Sequence, residues 1–443
     1  MVGKSAILNY CQGETAALPA DLSTETAVQN LRFLTHLLLY LDSLQVGITP
    51  ITLHGITAIK NQLVFKYVQY MASRPDLWQL LTVYVNTMPE HRILEFFPTV
   101  LAKMHDEGER QHILDQIQEL LPQLEIRLLR QVVRLSIRRP ATLGQNTSEE
   151  DERECHSIGW LLQSHGHLGD ALICANMLLR GFFLDHEDDK MEVAMLLVNY
   201  LPDTLVTDAG KSKPQGDTMP EEEYTRQVEN AVAEHKAFEE YLEAYQTFNK
   251  WKDMLASAST TTGAPLPDLN MAHLNPTDKS VAEQHRVKQF VRNKRESCRV
   301  VVQAAEHAKN VLSRVLTYPG GWLALDDQPN SPEDVKRQRE LETIRSRYLV
   351  LAVQWYHSIC EETALWLTKS LDESASVGLT RKETLNLLRN EDMSPNYWYQ
   401  HALDLAVLVA DDSHSIHEAF KPQDLQELLS KLAETAISKL MNA

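Results

Sequence analysis

The reactive side chains of this sequence fall into a few groupings. His165 and His167 flank Gly166, with Cys155 and His156 shortly upstream, and His414 and His417 stand one helical step apart. Imidazole and thiolate are zinc ligands, but a zinc site needs three or four of them converging in tetrahedral geometry. These pairs lack companions at ligand spacing, so they read as turn or surface histidines, and no metal site is expected. Gly3, Lys4 and Ser5 echo the end of a phosphate loop, in which backbone N–H groups and a lysine hold phosphate oxygens. Such a loop needs an upstream glycine and strand, and the sequence places neither before Gly3. Asp185, Glu187, Asp188 and Asp189 lack the alternating ligands and central glycine of a calcium loop. They read as the end of one helix and the start of the next. No G-x-S-x-G elbow, H-E-x-x-H pair or kinase signature set occurs. The expectation is a protein that is not an enzyme, with no catalytic residues and no cofactor. A helical enzyme using scattered residues is the competing reading. It would require a deep pocket of convergent polar groups with strongly shifted ionisation.

The most informative grouping is apolar. Phe238, Tyr241, Tyr245, Phe248 and Trp251 step by three, four, three and three. That spacing puts the aromatic rings on one face of about four helical turns. Rings this large bury much area, so the helix must lie against a partner surface. Glu239, Glu240, Glu243, Lys250 and Lys252 make the opposite face charged. The stripe reads as core, covered by long helices predicted at Asp278 to Leu316 and Ser331 to Leu371.

The elements that must position these residues are helical throughout. Leu31, Leu34, Leu38 and Leu41 form one stripe, and Ile56, Ile59, Leu63 and Tyr67 another. Further helices are predicted from Pro89 to about His105 and over Glu109–Leu120, Glu125–Ile137, Glu149–Ser164, Leu168–Leu184, Asp188–Tyr200 and Pro220–Leu255. Successive helices with short links form hairpins that stack. Ser257 to Asn275 reads as a polar loop. The Tyr318-Pro319-Gly320-Gly321-Trp322 run stops a helix, since proline cannot continue it and glycine accepts left-handed caps. Ser331 with Pro332, Thr380 with Glu383, and Ser394 with Pro395 mark helix starts. Leu425, Leu429, Leu432, Ala436 and Leu440 are the predicted buried stripe of a last helix from Pro422. The fold class is all-α, an irregular solenoid of stacked hairpins with a C-terminal module of longer helices. The expected organisation is residues 1–202 as the end of a solenoid trunk, 203–219 as a linker, and 220–443 as the C-terminal helical module.

Bulk properties narrow the function. With 443 residues, the chain exceeds the roughly 250–300 at which one core stops growing. A net charge of −18 argues against nonspecific nucleic-acid binding, which needs a basic surface. Arg127, Arg130, Arg134, Arg138 and Arg139 recur near helical spacing and read as a solvated face. Five scattered cysteines without CxxC fit free thiols in a reducing compartment. No signal-peptide pattern and no stretch of about 18 uncharged apolar residues occurs, so no membrane insertion is expected.

The string Tyr-Leu-Glu-Ala-Tyr-Gln-Thr-Phe-Asn-Lys-Trp, Tyr241 to Trp251, and the Tyr318 to Trp322 turn followed by Asp326 resemble the nuclear pore protein 84/107 family. Glu149 to Leu162, with Trp160, is similar to the family's acidic-start helix. Ala402 to Ala406 resembles its penultimate helix, and Phe420, Lys421, Asp424, Leu425, Leu428, Leu429 and Leu432 its last. The resemblance runs in order from His36 to Leu440 and covers the family's C-terminal half. It implies that the family's N-terminal docking portion lies outside this sequence. It implies a structural scaffold subunit of the Y-shaped outer-ring complex of the nuclear pore, at the nuclear envelope, supporting nucleocytoplasmic transport of mRNA and protein. The implied partners are other subunits of that complex and, through the last helices, the C-terminal domain of a nucleoporin 133-type protein. Carried onto this chain, that contact falls on Tyr397 to Ala410, with Tyr397, Leu405, Val407 and Leu408 as candidate interface residues. Ordinary packing within the chain is the competing role for Leu408. The alternative function is a helical solenoid subunit of a vesicle-coat or tethering complex.

Overall fold

The computed structural model describes residues 25–43, 50–104, 106–137, 155–164, 167–185, 190–211, 220–262, 276–324, 331–376 and 394–442. Every regular element among them is a helix, so the all-α fold expected from the periodicity is the fold observed. The chain forms two compact units, Met1–Leu178 with Asn199–Val232, and Leu179–Val198 with Ala233–Ala443.

The first unit begins with α1 (Glu25–Ser43), α2 (Pro50–Ala72), α3 (Trp78–Val85), α4 (Glu90–Leu101), α5 (Glu107–Leu120), α6 (Glu125–Ile137) and α7 (Gly159–Leu162). Helix α1 packs on α2, α2 on α3, α3 on α5, α4 on α6, and α6 on α7. Contacts to the next and next-but-one helix are those of stacked hairpins, an irregular solenoid. Leu31, Leu34 and Leu38 of α1 and Leu63 and Tyr67 of α2 are buried, as their spacing predicts. Asp106 caps α5, its Oδ1 accepting the Glu109 N–H at 2.8 Å.

Helices α8 (Leu168–Leu184), α9 (Lys190–Tyr200) and α11 (Glu221–Thr262) contribute residues to both units, and α10 (Leu205–Ala209) is a short helix of the first. The second unit adds α12 (Pro276–Leu316), α13 (Pro332–Ser376), α14 (Pro395–Ala410) and α15 (Pro422–Asn442). Helix α13 packs on α12, α14 and α15, and α14 packs on α15. The aromatic stripe of α11 is core: Phe238, Tyr241 and Trp251 are fully buried. Its cover is α13 together with Phe183 and the Gly320–Trp322 turn. Trp355 of α13 stacks on Phe248 with ring centroids 5.0 Å apart, and Tyr348 meets Tyr241 edge-on at 5.4 Å. The Trp251 indole donates to Thr363 Oγ1 at 3.2 Å, and the Trp322 indole to the Ala237 carbonyl at 2.8 Å. Gly320 (φ 76°) and Gly321 (φ 91°) supply the left-handed backbone that aims Trp322 inward.

Several boundaries differ from the sequence reading. Helix α4 ends at Leu101 instead of near His105, which lies outside the described residues. The segment predicted as one helix from Glu149 is interrupted at Ile158, and residues 149–154 lie outside the description. Arg110 Nη1 takes the His156 carbonyl at 3.0 Å, an acceptor a continuous helix would use itself. Helix α11 runs on to Thr262, into the predicted loop, and Ser259 Oγ satisfies itself on the Leu255 carbonyl at 2.7 Å. The buried stripe of α15 is also different. Leu428, Leu432 and Thr435 are buried, whereas Leu429 is 56% and Leu440 79% exposed. The Thr380–Glu383 start, Gly3–Ser5, Cys11, His165 and Asp326 lie outside the described residues.

Candidate partner-binding surface

Helices α14 and α15 end the second unit, and their inner faces are committed to it. On α14, Trp398, Tyr399, Ala402, Leu405 and Val409 are buried at helical spacing. Leu405 is 1% exposed, so its side chain serves packing within the unit. Tyr397 is half-buried. Its hydroxyl accepts from Lys309 Nζ at 3.1 Å and donates toward Glu306, and the ammonium lies 4.9 Å from its ring centre. That cation–π contact and the hydroxyl hydrogen bonds tie the start of α14 to α12. Leu408 is half-buried, and Val407 points outward at 74% exposure. The four sequence-derived candidates therefore separate. Leu405 and Tyr397 hold the helix, Leu408 lies at the margin, and Val407 is presented to solvent.

The exposed apolar residues missed by sequence reasoning are on α15. Leu429, Ile437, Leu440 and Met441 are each more than half exposed. Leu429 and Leu440 carried a signal, but it was the signal of burial. The periodicity of α15 supports two overlapping stripes, and only packing decides which one turns inward. Behind them, His357 hydrogen-bonds Thr435 at 3.0 Å, and Thr435 donates to Glu361 at 3.1 Å. This polar contact fixes the rotation of α15 on α13.

The titratable groups with strong shifts are closed into packing. His167 stands in the turn before α8, as read, but it is buried and not a surface residue. Its Nε2 lies 3.7 Å from Glu125 and its Nδ1 3.6 Å from Asp170. Burial opposes its charge, but the hydrogen bonds and charges of both carboxylates outweigh that and raise its pKa to about 9. Arg130 pairs with Asp170, so this arginine is part of the cluster instead of a solvated face. Arg127 likewise pairs with Glu90, and Arg138 and Arg139 lie outside the described residues. His235 goes the other way, with burial pushing its pKa down to about 4. In the second unit Arg180 pairs with Glu234 and Glu340, and Arg337 joins Glu234 at 2.6 Å. These are structural ion clusters of matched charge.

Among the described residues no group of three His, Cys, Asp or Glu could hold a metal ion, and no helix is long and apolar enough to cross a membrane. The four described cysteines are buried thiols outside any disulfide. What this region offers is apolar helix-on-helix contact.

A sequence model of the family described as nuclear pore protein 84/107 matches residues 14–378. The chain is 24% identical over 428 residues to nuclear pore complex protein Nup107 of Homo sapiens, covering 93% of this chain and 40% of that protein. The Mus musculus Nup107 is likewise 24% identical over 426 residues, with the same coverage. The chain thus spans about 40% of the length of the curated relatives it matches. With a match over well more than half of its residues, the chain belongs to the nuclear pore protein 84/107 family.

Proposed function

We propose that this chain is a structural scaffold subunit of the nuclear pore complex, acting in the Y-shaped outer-ring complex at the nuclear envelope. It joins a neighbouring nucleoporin through α14 and α15, and the partner is the C-terminal helical domain of a nucleoporin 133-type protein. In this role it supports nucleocytoplasmic transport without catalysis, cofactor, membrane insertion or direct nucleic-acid contact. One observation carries the surface. After α14 and α15 have buried their inner faces, Val407, Leu429, Ile437, Leu440 and Met441 still stand in water. Apolar side chains at the end of a helical stack are what helix-on-helix recognition uses. The names of the relatives support the cellular setting.

The test is binding of the nucleoporin 133 C-terminal domain to Val407→Asp and Leu440→Asp, measured by calorimetry. Both residues are exposed, so both variants are expected to keep the native circular dichroism and melting. Each is expected to weaken binding at least about tenfold, as loss of an interface anchor does. Undiminished binding by both folded variants overturns the surface. Leu408→Asp reports whether the margin of α14 takes part. Tagged protein in a ring of nuclear-envelope spots supports the pore assignment. Diffuse cytosolic signal, or recovery of vesicle-coat subunits in place of nucleoporins, overturns it.

A further inference from the structure

The second unit holds a groove that neither the aromatic core nor the C-terminal surface uses. It is an open cavity of about 760 Å³ between α9, α11 and α12. Met195 of α9, Tyr245 and Met254 of α11, and Val300 of α12 make its apolar lining. Val300 is 41% exposed, so part of that lining stands in water. Along α11 the groove runs from Tyr245 to Ala258, a length of about 20 Å. Methionines at such a site adapt to differently shaped apolar anchors.

The charged part of the lining is acidic. Glu192 of α9, Asp253 of α11 and Glu296 of α12 face a single ammonium, that of Lys250. Arg299 donates to Glu296 at 2.8 Å and offsets its charge. Glu192 and Asp253 are exposed, and neither forms an ion pair among the described residues. Arg292 and Arg295 are also exposed and without an ion pair among the described residues, but they lie on the Arg299 side of α12, away from Ser297 and Val301. The groove therefore joins an apolar lining to two carboxylates on different helices whose charge nothing described offsets. The net charge of −18 reinforces their attraction for a cation at long range.

We propose that this groove docks a basic amphipathic helix of a partner protein, with apolar residues on the Met–Tyr–Val lining and Lys or Arg side chains meeting Glu192 and Asp253. The length of the groove suits about four helical turns. Charge complementarity selects the basic flank, and the same carboxylates repel an acidic helix of equal apolarity. The inference stands on the groove alone and is independent of the C-terminal surface.

The test uses the full chain and a fluorescein-labelled amphipathic peptide helix, with Leu at i, i+3/i+4 spacing and Lys along one flank, read by anisotropy at about 0.15 M salt. Two control peptides replace Lys by Glu or Leu by Ser. The Lys–Leu peptide is expected to bind at least about tenfold tighter than either control. Glu192→Lys combined with Asp253→Lys is expected to weaken it by about tenfold or more, and Val300→Asn to weaken it severalfold by spoiling the lining. These three positions are exposed, and circular dichroism verifies the fold. Glu119→Lys combined with Glu229→Lys makes the same change of net charge at exposed positions in the first unit. That variant is expected to keep the binding within about twofold, which separates the groove from the general acidic field. The proposal is overturned if the Lys–Leu peptide does not bind, if either control peptide binds as tightly, if the first-unit variant loses as much binding as the groove variant, or if the folded groove variants bind undiminished. Self-association of the chain that the groove variants abolish would make the occupant a second copy and overturn it as well.

Discussion

At the scale of single residues, His167 shows what burial beside two carboxylates does. Its ordinary pKa of 6.5 is raised to about 9, and Glu125 and Asp170 are both held low against their own burial by their hydrogen-bond partners. A group with a raised folded pKa stabilises fully below its unfolded value, and that contribution is lost as pH rises through the folded value. Stability of the wild-type chain is therefore expected to fall between pH 6.5 and about 9 as His167 loses its proton. The loss is on the order of 1–3 kcal/mol. His167→Gln, neutral at every pH, is expected to be less stable near pH 6 and to lack that slope in urea unfolding. An unchanged slope in the variant would assign the alkaline loss elsewhere. The two carboxylates act on the acid side, their contribution disappearing as pH falls through their lowered values. His235 adds to that side, because its neutral form is favoured in the fold and stability is lost as pH falls from 6.5 toward about 4.

At the scale of elements, a close helix approach in the first unit depends on a missing side chain. A Cβ on Gly169, near the start of α8, would lie 2.5 Å from Tyr224 Oη and 2.9 Å from Val228 Cγ2 of α11. Tyr224 is 3% exposed and its hydroxyl is within 3.3 Å of Asp170, so the ring has nowhere to swing. Gly169→Ala is expected to destabilise the protein by about 1–3 kcal/mol, the cost of overpacking, with a lower urea midpoint. A neutral result would mean that α11 withdraws freely from α8. Nothing in the sequence pattern marks Gly169 for this role, because a glycine in a helix looks the same whether it faces water or a tyrosine. Other features were legible. The bounds of α6 and α8, the Ser331 cap and the burial of Phe238, Tyr241 and Trp251 all follow from local spacing and local hydrogen bonds. The candidate surface was legible only as a region. Val407 and Leu405 are two residues apart on one helix, and periodicity alone does not say which of them faces the neighbouring helices. The inward face of α15 was misread for the same reason. Long-range partners such as Arg110 on the His156 carbonyl, which interrupts a predicted helix, have no local signature.

At the scale of the whole molecule, the charge of −18 bears on every partner. An extended polyanion laid on such a surface meets repulsion over most of its length and gains attraction only where arginines stand unpaired. Random-sequence duplex DNA is therefore expected to show no mobility shift with this chain at up to about 10 µM protein and about 0.15 M salt. Lowering the salt should bring on only weak binding, and that binding should be lost in the Arg292→Glu, Arg295→Glu variant. A shift at physiological salt would show that local basic patches overcome the field. The proposed C-terminal surface would avoid the field, since Val407, Leu429, Leu440 and Met441 present apolar area instead of charge. Raising salt from about 0.05 to about 0.5 M should therefore leave the proposed nucleoporin 133 contact nearly unchanged while abolishing any residual DNA binding. A steep salt dependence of that contact would show that charge, and not apolar area, carries the surface.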